Sequence, residues 1–215
     1  NSNAELDSLT INRGSSGSVE IGEDLSLAGD LNVTNGTLTI SGSSTLTING
    51  NYTNNGTVTI ESGSSLFLDP SSTVTGDVTV QRVGTSFSNV YNYWSSPVDR
   101  PAATAVWPTA TYATAQNLLS WNESGNSWDN FTGNLENGKG YAMTGPINGG
   151  VNTVSFTGTP NHSDFTYPSS GNLSYTASHS FTGFHMLGNP YPTAMDGQVF
   201  LTDNNNLEGT LWFWD

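Results

Sequence analysis

At 215 residues, with 34% apolar and 11% aromatic side chains, the chain is long and apolar enough to bury a core, which excludes disorder of the whole. Four basic residues, Arg13, Arg82, Arg100 and Lys139, stand against 18 acidic ones for a formal charge of −14, so nothing neutralises phosphates and nucleic acid is excluded as a partner. Cysteine is absent, which removes disulfides and thiolate metal sites, and no run of about 18 apolar residues exists to span a membrane. A surface so acidic and lysine-poor suits a saline or calcium-bearing exterior, so the expected location is extracellular, at the cell surface.

No long segment shows helical periodicity, and Gly, Asn, Ser and Thr dominate, so the expected fold class is all-β. From Leu6 to Val83 short apolar phrases recur: LTI at Leu9, VEI at Val19, LSL at Leu25, LNV at Leu31, LTI at Leu38 and Leu46, YTN at Tyr52, VTI at Val58, LFL at Leu66 and VTV at Val78. Neighbouring phrases stand 6 to 12 residues apart, but Leu38, Val58 and Val78 are each 20 apart, as are Leu46 and Leu66, and Leu31 and Tyr52 are 21 apart. A lap of about 20 residues holding three strands is the mark of a short three-sided parallel β-helix, here of about three and a half coils. At one strand spacing per coil it would rise about 15 to 20 Å. The first and third residues of each phrase should face the core, the middle one water. An antiparallel meander is the rival, and Asn35-Gly36, Asn49-Gly50 and Asn55-Gly56 would suit its turns, but a meander has no reason to keep every third strand in register.

The repeat stops near Gln81 to Gly84, giving expected domains at residues 1–84, the β-helix, and 85–215. All six Trp, seven of eight Tyr and eight of nine Pro lie after residue 90, in short strand-like segments broken by Gly, Asn and Pro. That pattern predicts a β-sandwich, jelly-roll-like, for the second domain. LWFWD, Leu211 to Asp215, reads as a strand with nothing after it, so a longer parent polypeptide is expected.

YNYWSSPV (Tyr91 to Val98), NGKGYAM (Asn137 to Met143) and LGNPYPTAMDG followed by FLTDNNNLEGTLWFWD (Leu187 to Asp215) resemble motifs of large secreted surface proteins of the Bacteroidetes, adhesin-like and exported by type IX secretion. The sorting domain that such proteins carry is not in this chain. The resemblance implies an extracellular adhesin-like role, and one modification: O-glycosylation of Ser8, in the Asp7-Ser8-Leu9 context.

Chemistry is sparse. His162, His179 and His185 form no metal-ligand or catalytic pattern, and neither a nucleophile elbow nor a phosphate loop is present, so no enzyme is expected. A polysaccharide lyase is disfavoured by the four basic residues. No cofactor is required, but calcium would suit the oxygen ligands of Asp203, Asn205 and Glu208, with Asp196 contributing across the fold; the plain alternative is an acidic turn. Trp94, Trp107, Trp121 and Trp128 lie among Asn, Ser and Gly, as sugar-stacking aromatics do, against the alternative that strand tryptophans build the core. Trp121 and Trp128 flank the turn NESGNS and are the first choices. Stacked threonines, Thr37 and Thr39 over Thr57 and Thr59, resemble an ice-binding face, but the ranks are too few. The expected function is a non-enzymatic surface, adhesion or filament-forming module whose partners are other subunits or domains at the open coil ends. A carbohydrate-binding module for polysaccharide is the alternative.

Overall fold

The structure, a computed structural model, describes residues 4–108, 111–112, 118–168 and 172–211. Its first half winds four three-stranded coils: β1 (Ala4–Leu6), β2 (Leu9–Asn12) and β3 (Ser18–Ile21); β4 (Leu25–Leu27), β5 (Leu31–Asn35) and β6 (Thr37–Ile40); β7 (Thr45–Ile48), β8 (Tyr52–Asn54) and β9 (Thr57–Ile60); β10 (Ser65–Leu68), β11 (Val74–Thr75) and β12 (Val78–Val83). Three parallel sheets result, ordered β1-β4-β7-β10, β2-β5-β8-β11 and β3-β6-β9-β12. Leu38 pairs with Val58, Leu46 with Leu66 and Leu31 with Tyr52, the registers that the spacing predicts. The parallel pairing rules out the meander. There are four coils rather than three and a half, because β1 carries too few apolar residues to announce itself.

Side chains alternate as strand geometry requires: Leu38, Ile40, Leu46, Ile48 and Ile60 are fully buried, and the threonines between them are not. Each such residue removed from water contributes about 1.5–3 kcal/mol, so the stacked aliphatics carry the solenoid. One corner is a glycine column. A Cβ on Gly36 would sit 2.7 Å from the Gly17 carbonyl oxygen, and one on Gly56 would sit 2.5 Å from that of Gly36. Only glycine lets successive coils turn this closely, and Gly36 also holds φ +98°.

The second half contains β13 (Tyr91–Trp94), α1 (Ala103–Val106), β14 (Leu119–Asn122), β15 (Ser127–Asn130), β16 (Tyr141–Thr144), β17 (Thr153–Gly158) and α2 (Gly197–Asp203). Among the described residues these form one antiparallel sheet, β13-β16-β14-β15, and not the two facing sheets of a sandwich. The remaining strand, β17, joins the solenoid instead, running antiparallel to β12 over six pairs from Val78↔Gly158 to Val83↔Thr153. The physical reason is the last coil's free edge, which β17 satisfies. Phe156 of β17 meets Trp94 at 6.4 Å and Trp107 at 5.9 Å between ring centroids, so one core runs from the coils into the second half across the expected boundary at residue 84.

The second half also touches the other two faces of the last coil. Leu66 N donates to Pro192 O at 2.8 Å, and the His162 ring meets Ser72 O at 3.2 Å. At the opposite end β1, β2 and β3 have no strand on their outer side among the described residues. There β1 is exposed throughout, Leu6 to 45%, and Leu9 and Val19 are half-buried.

Candidate functional site

A cleft of about 600 Å³ opens where the second half sits on the last coil. Its floor is Ser64 and Ser65, leading into β10, with Arg82 at the end of β12. One wall is Tyr93, Trp94, Ser95 and Pro97, and the other is drawn from the segment 186–194, chiefly Met186 to Asn189 with Tyr191, Thr193 and Ala194. The second wall is held by backbone bonds, Gly140 N to Met186 O at 2.8 Å and Gly188 N to Gly138 O at 3.0 Å, and by Asn189, whose Nδ2 donates to Thr193 O at 2.6 Å. Gly188 lies so close to Ser95 that a side chain there would collide with it.

Arg82 is placed by the pleat of β12. Val78 and Val80 point inward, so Arg82, two residues on and opposite buried Val154, occupies an inward register position. Burial lowers its pKa, though an arginine stays charged. Its Nη1 donates to Gln81 O at 2.8 Å. The one ion pair among the described residues is Lys139 to Glu136, at 3.0 Å, so Arg82 is half-buried without a carboxylate.

Around it, polar groups are left over. Five buried side-chain polar atoms lack a partner among the described residues, and three of them, Ser64 Oγ, Trp94 Nε1 and Ser95 Oγ, belong to residues lining this cleft. Such groups are costly to leave unpaired, so their concentration in one place marks the cleft rather than the fold at large.

The four candidate tryptophans divide. Trp94 and Trp107 are 8% and 2% exposed and build the core with Phe156, which corrects their reading as sugar platforms; Trp94 only edges the cleft. Trp121 and Trp128 pair across the β14–β15 hairpin, ring centroids 5.6 Å apart. Trp128 is 42% exposed and Tyr93, at 43%, lies 6.4 Å from it, so together they offer an open aromatic surface. Trp121 is held more firmly, its Nε1 donating to Phe184 O at 2.8 Å.

Of the calcium candidates, Asp196 stands apart from the rest. Asp196 caps α2, its Oδ1 accepting from Gln198 N at 2.8 Å and Val199 N at 3.1 Å, whereas Asp203 ends the same helix, about 10 Å further along the axis. Asn205 and Glu208 lie beyond that end, and no group of three His, Cys, Asp or Glu gathers among the described residues. Ser8 is exposed, and its Oγ accepts from Asp30 N at 3.0 Å.

Sequence reasoning missed Glu123, inside the turn NESGNS. Although only 3% exposed, its carboxylate accepts from Gly183 N at 3.0 Å, from Thr176 N at 2.7 Å and from Thr176 Oγ1 at 3.0 Å. The Gly183 N–H foremost, with Thr176, draws its pKa down to about 2 against the opposing effect of burial. It is a clamp on the loop, not a base. His179 and His185 each set a ring nitrogen on a backbone carbonyl, of Glu123 at 3.3 Å and Ser174 at 2.8 Å.

A family model described as "Domain of unknown function (DUF8693)" matches residues 4–215. The chain belongs to that family. No curated protein and no solved structure matches it. The matched span takes in all four coils and both walls of the cleft, so the DUF8693 domain comprises the solenoid and the second half together.

Proposed function

We propose that the chain is a non-enzymatic extracellular surface module, adhesive or filament-forming, that joins other subunits or domains through one end of its solenoid. The observation that carries this is the asymmetry of the two ends. The last coil meets β17, Pro192 and His162, while among the described residues β1, β2 and β3 of the first coil have no strand on their outer side, beside half-buried Leu9 and Val19. Free strand edges over an apolar interior template further pairing. The second half, with its single antiparallel sheet beside Phe156, acts in this reading as a lid that directs assembly to the other end. Sedimentation over a concentration series should show reversible association that Leu6→Lys with Thr10→Lys reduces. Wild-type protein that stays monomeric throughout would overturn the filament-forming reading.

A carbohydrate-binding role is a second reading, supported by Tyr93 and Trp128 lying open side by side. Aromatic faces of this kind stack on sugar rings. Retention on immobilised polysaccharide should fall when Trp128→Ala is introduced, and unchanged retention would count against it.

A further inference from the structure

We propose that the cleft between the last coil and the 186–194 segment is a binding site for a saccharide carrying a single carboxylate, with the Arg82 guanidinium receiving the carboxylate and the hydroxyls of Ser64 and Ser95 and the indole N–H of Trp94 supplying the remaining donors. This deepens the carbohydrate-binding reading and rests on it for the sugar, but not for the carboxylate. It is independent of association through the first coil.

Three observations converge. The first is charge. In a chain of net −14, one of only four basic side chains lies at an inward register position, half-buried, with no carboxylate of the described residues paired to it. A guanidinium taken from water needs a counter-charge, and its planar fork matches a carboxylate two-pronged. The second is hydrogen bonding. Ser64, at 1% exposure, and Trp94, at 8%, together with Ser95 line the cleft, and each carries a buried polar atom without a partner among the described residues, a hydroxyl or indole N–H able to donate to an oxyanion that reaches it. The third is shape. The volume lies within the range of small-ligand sites, and Tyr93 on the rim continues onto Trp128, giving the ring of a sugar a surface beside the charge.

The same arithmetic selects the ligand's charge. One guanidinium balances one negative charge; a phosphate dianion or a polyanionic glycan would add uncompensated charge to a protein already strongly acidic. A lone uronate within an otherwise neutral glycan meets the cleft without that penalty.

The test uses the whole chain and three probes: methyl glucuronoside, methyl glucoside and acetate, with the indole proton of Trp94 followed by nuclear magnetic resonance. Methyl glucuronoside should shift that proton, methyl glucoside should not, and acetate should act more weakly than the glucuronoside. Arg82→Gln should weaken the glucuronoside response by about tenfold or more, as expected for loss of a charge-assisted pair. Because Arg82 lies where the two halves of the molecule meet, Ser64→Ala and Ser95→Ala provide the second measurement. Removing an unpaired buried hydroxyl should leave the melting temperature unchanged or raised while weakening the glucuronoside, an outcome that a merely structural serine would not give. Silence towards the glucuronoside, or an equal response to methyl glucoside, overturns the proposal. An equal response to acetate overturns the saccharide and leaves a carboxylate cleft. Should neutral polysaccharide still be retained through Trp128 while the cleft is silent, this site fails and the carbohydrate reading stands.

Discussion

Glu123 shows how a side chain with no sequence signal can organise a region. It lies in the β14–β15 turn, and its three acceptor contacts reach Thr176 and Gly183, more than 50 residues away in the chain. Its carboxyl is held near 2, below the usual carboxylate value of 4.5, so the folded state favours the ionised form. The stability this contributes is complete above about pH 4.5 and is lost as pH falls towards about 2. Glu123→Gln should therefore melt below wild type at about pH 7, with the gap narrowing as the pH is lowered through that window. A gap independent of pH would show that the contacts act without the charge. Composition gives no hint of this role, because 17 other acidic residues look the same in sequence (18 acidic in total, less Glu123). Arg82 is different: continuing the alternation of VTVQRV past the end of the repeat assigns it inward.

At the scale of elements, the repeat was legible because each strand's partner is one lap away. Thr39, Thr59 and Thr79 stand in register at a spacing of 20, and inward and outward positions follow directly. The same rank continues onto Thr157 of β17, whose Oγ1 lies 2.9 Å from that of Thr79, but no period leads there. Loss of the period hid β17's membership of the solenoid, and with it the lid, the cleft and the division of the tryptophans into buried and open pairs. Corner geometry was hidden for another reason: a glycine in a turn and a glycine in a stacked column read alike. Gly36→Ala must introduce a Cβ against the Gly17 carbonyl at a left-handed φ, and should lower stability by about 1–3 kcal/mol in denaturant unfolding. Gly22→Ala, whose nearest neighbour would be Ser41 Oγ at 3.8 Å, should be close to neutral. Equal effects at the two positions would mean that the column is not packed as described.

For the whole molecule, charge and architecture act against each other. A net charge of −14 is carried with a single ion pair among the described residues, so most carboxylates repel one another across the surface without local compensation. The parallel coils and their aliphatic stack hold the fold against that repulsion, and screening should relieve it. Raising sodium chloride from about 20 mM to about 300 mM shortens the reach of surface charge from roughly 20 Å to below 8 Å. A relief of about 1 kcal/mol would appear as a rise of about 2–4 °C in melting temperature for a chain of this size. Thermal unfolding across that series should show the rise, and the same salt should favour association of the first coil, which carries Glu5, Asp7 and Glu20. Binding of a carboxylate at half-buried Arg82 should respond less, since such a pair would be screened less than an exposed one. A melting temperature that falls with salt would mean that attractive surface pairs, rather than the buried coils, hold the molecule together.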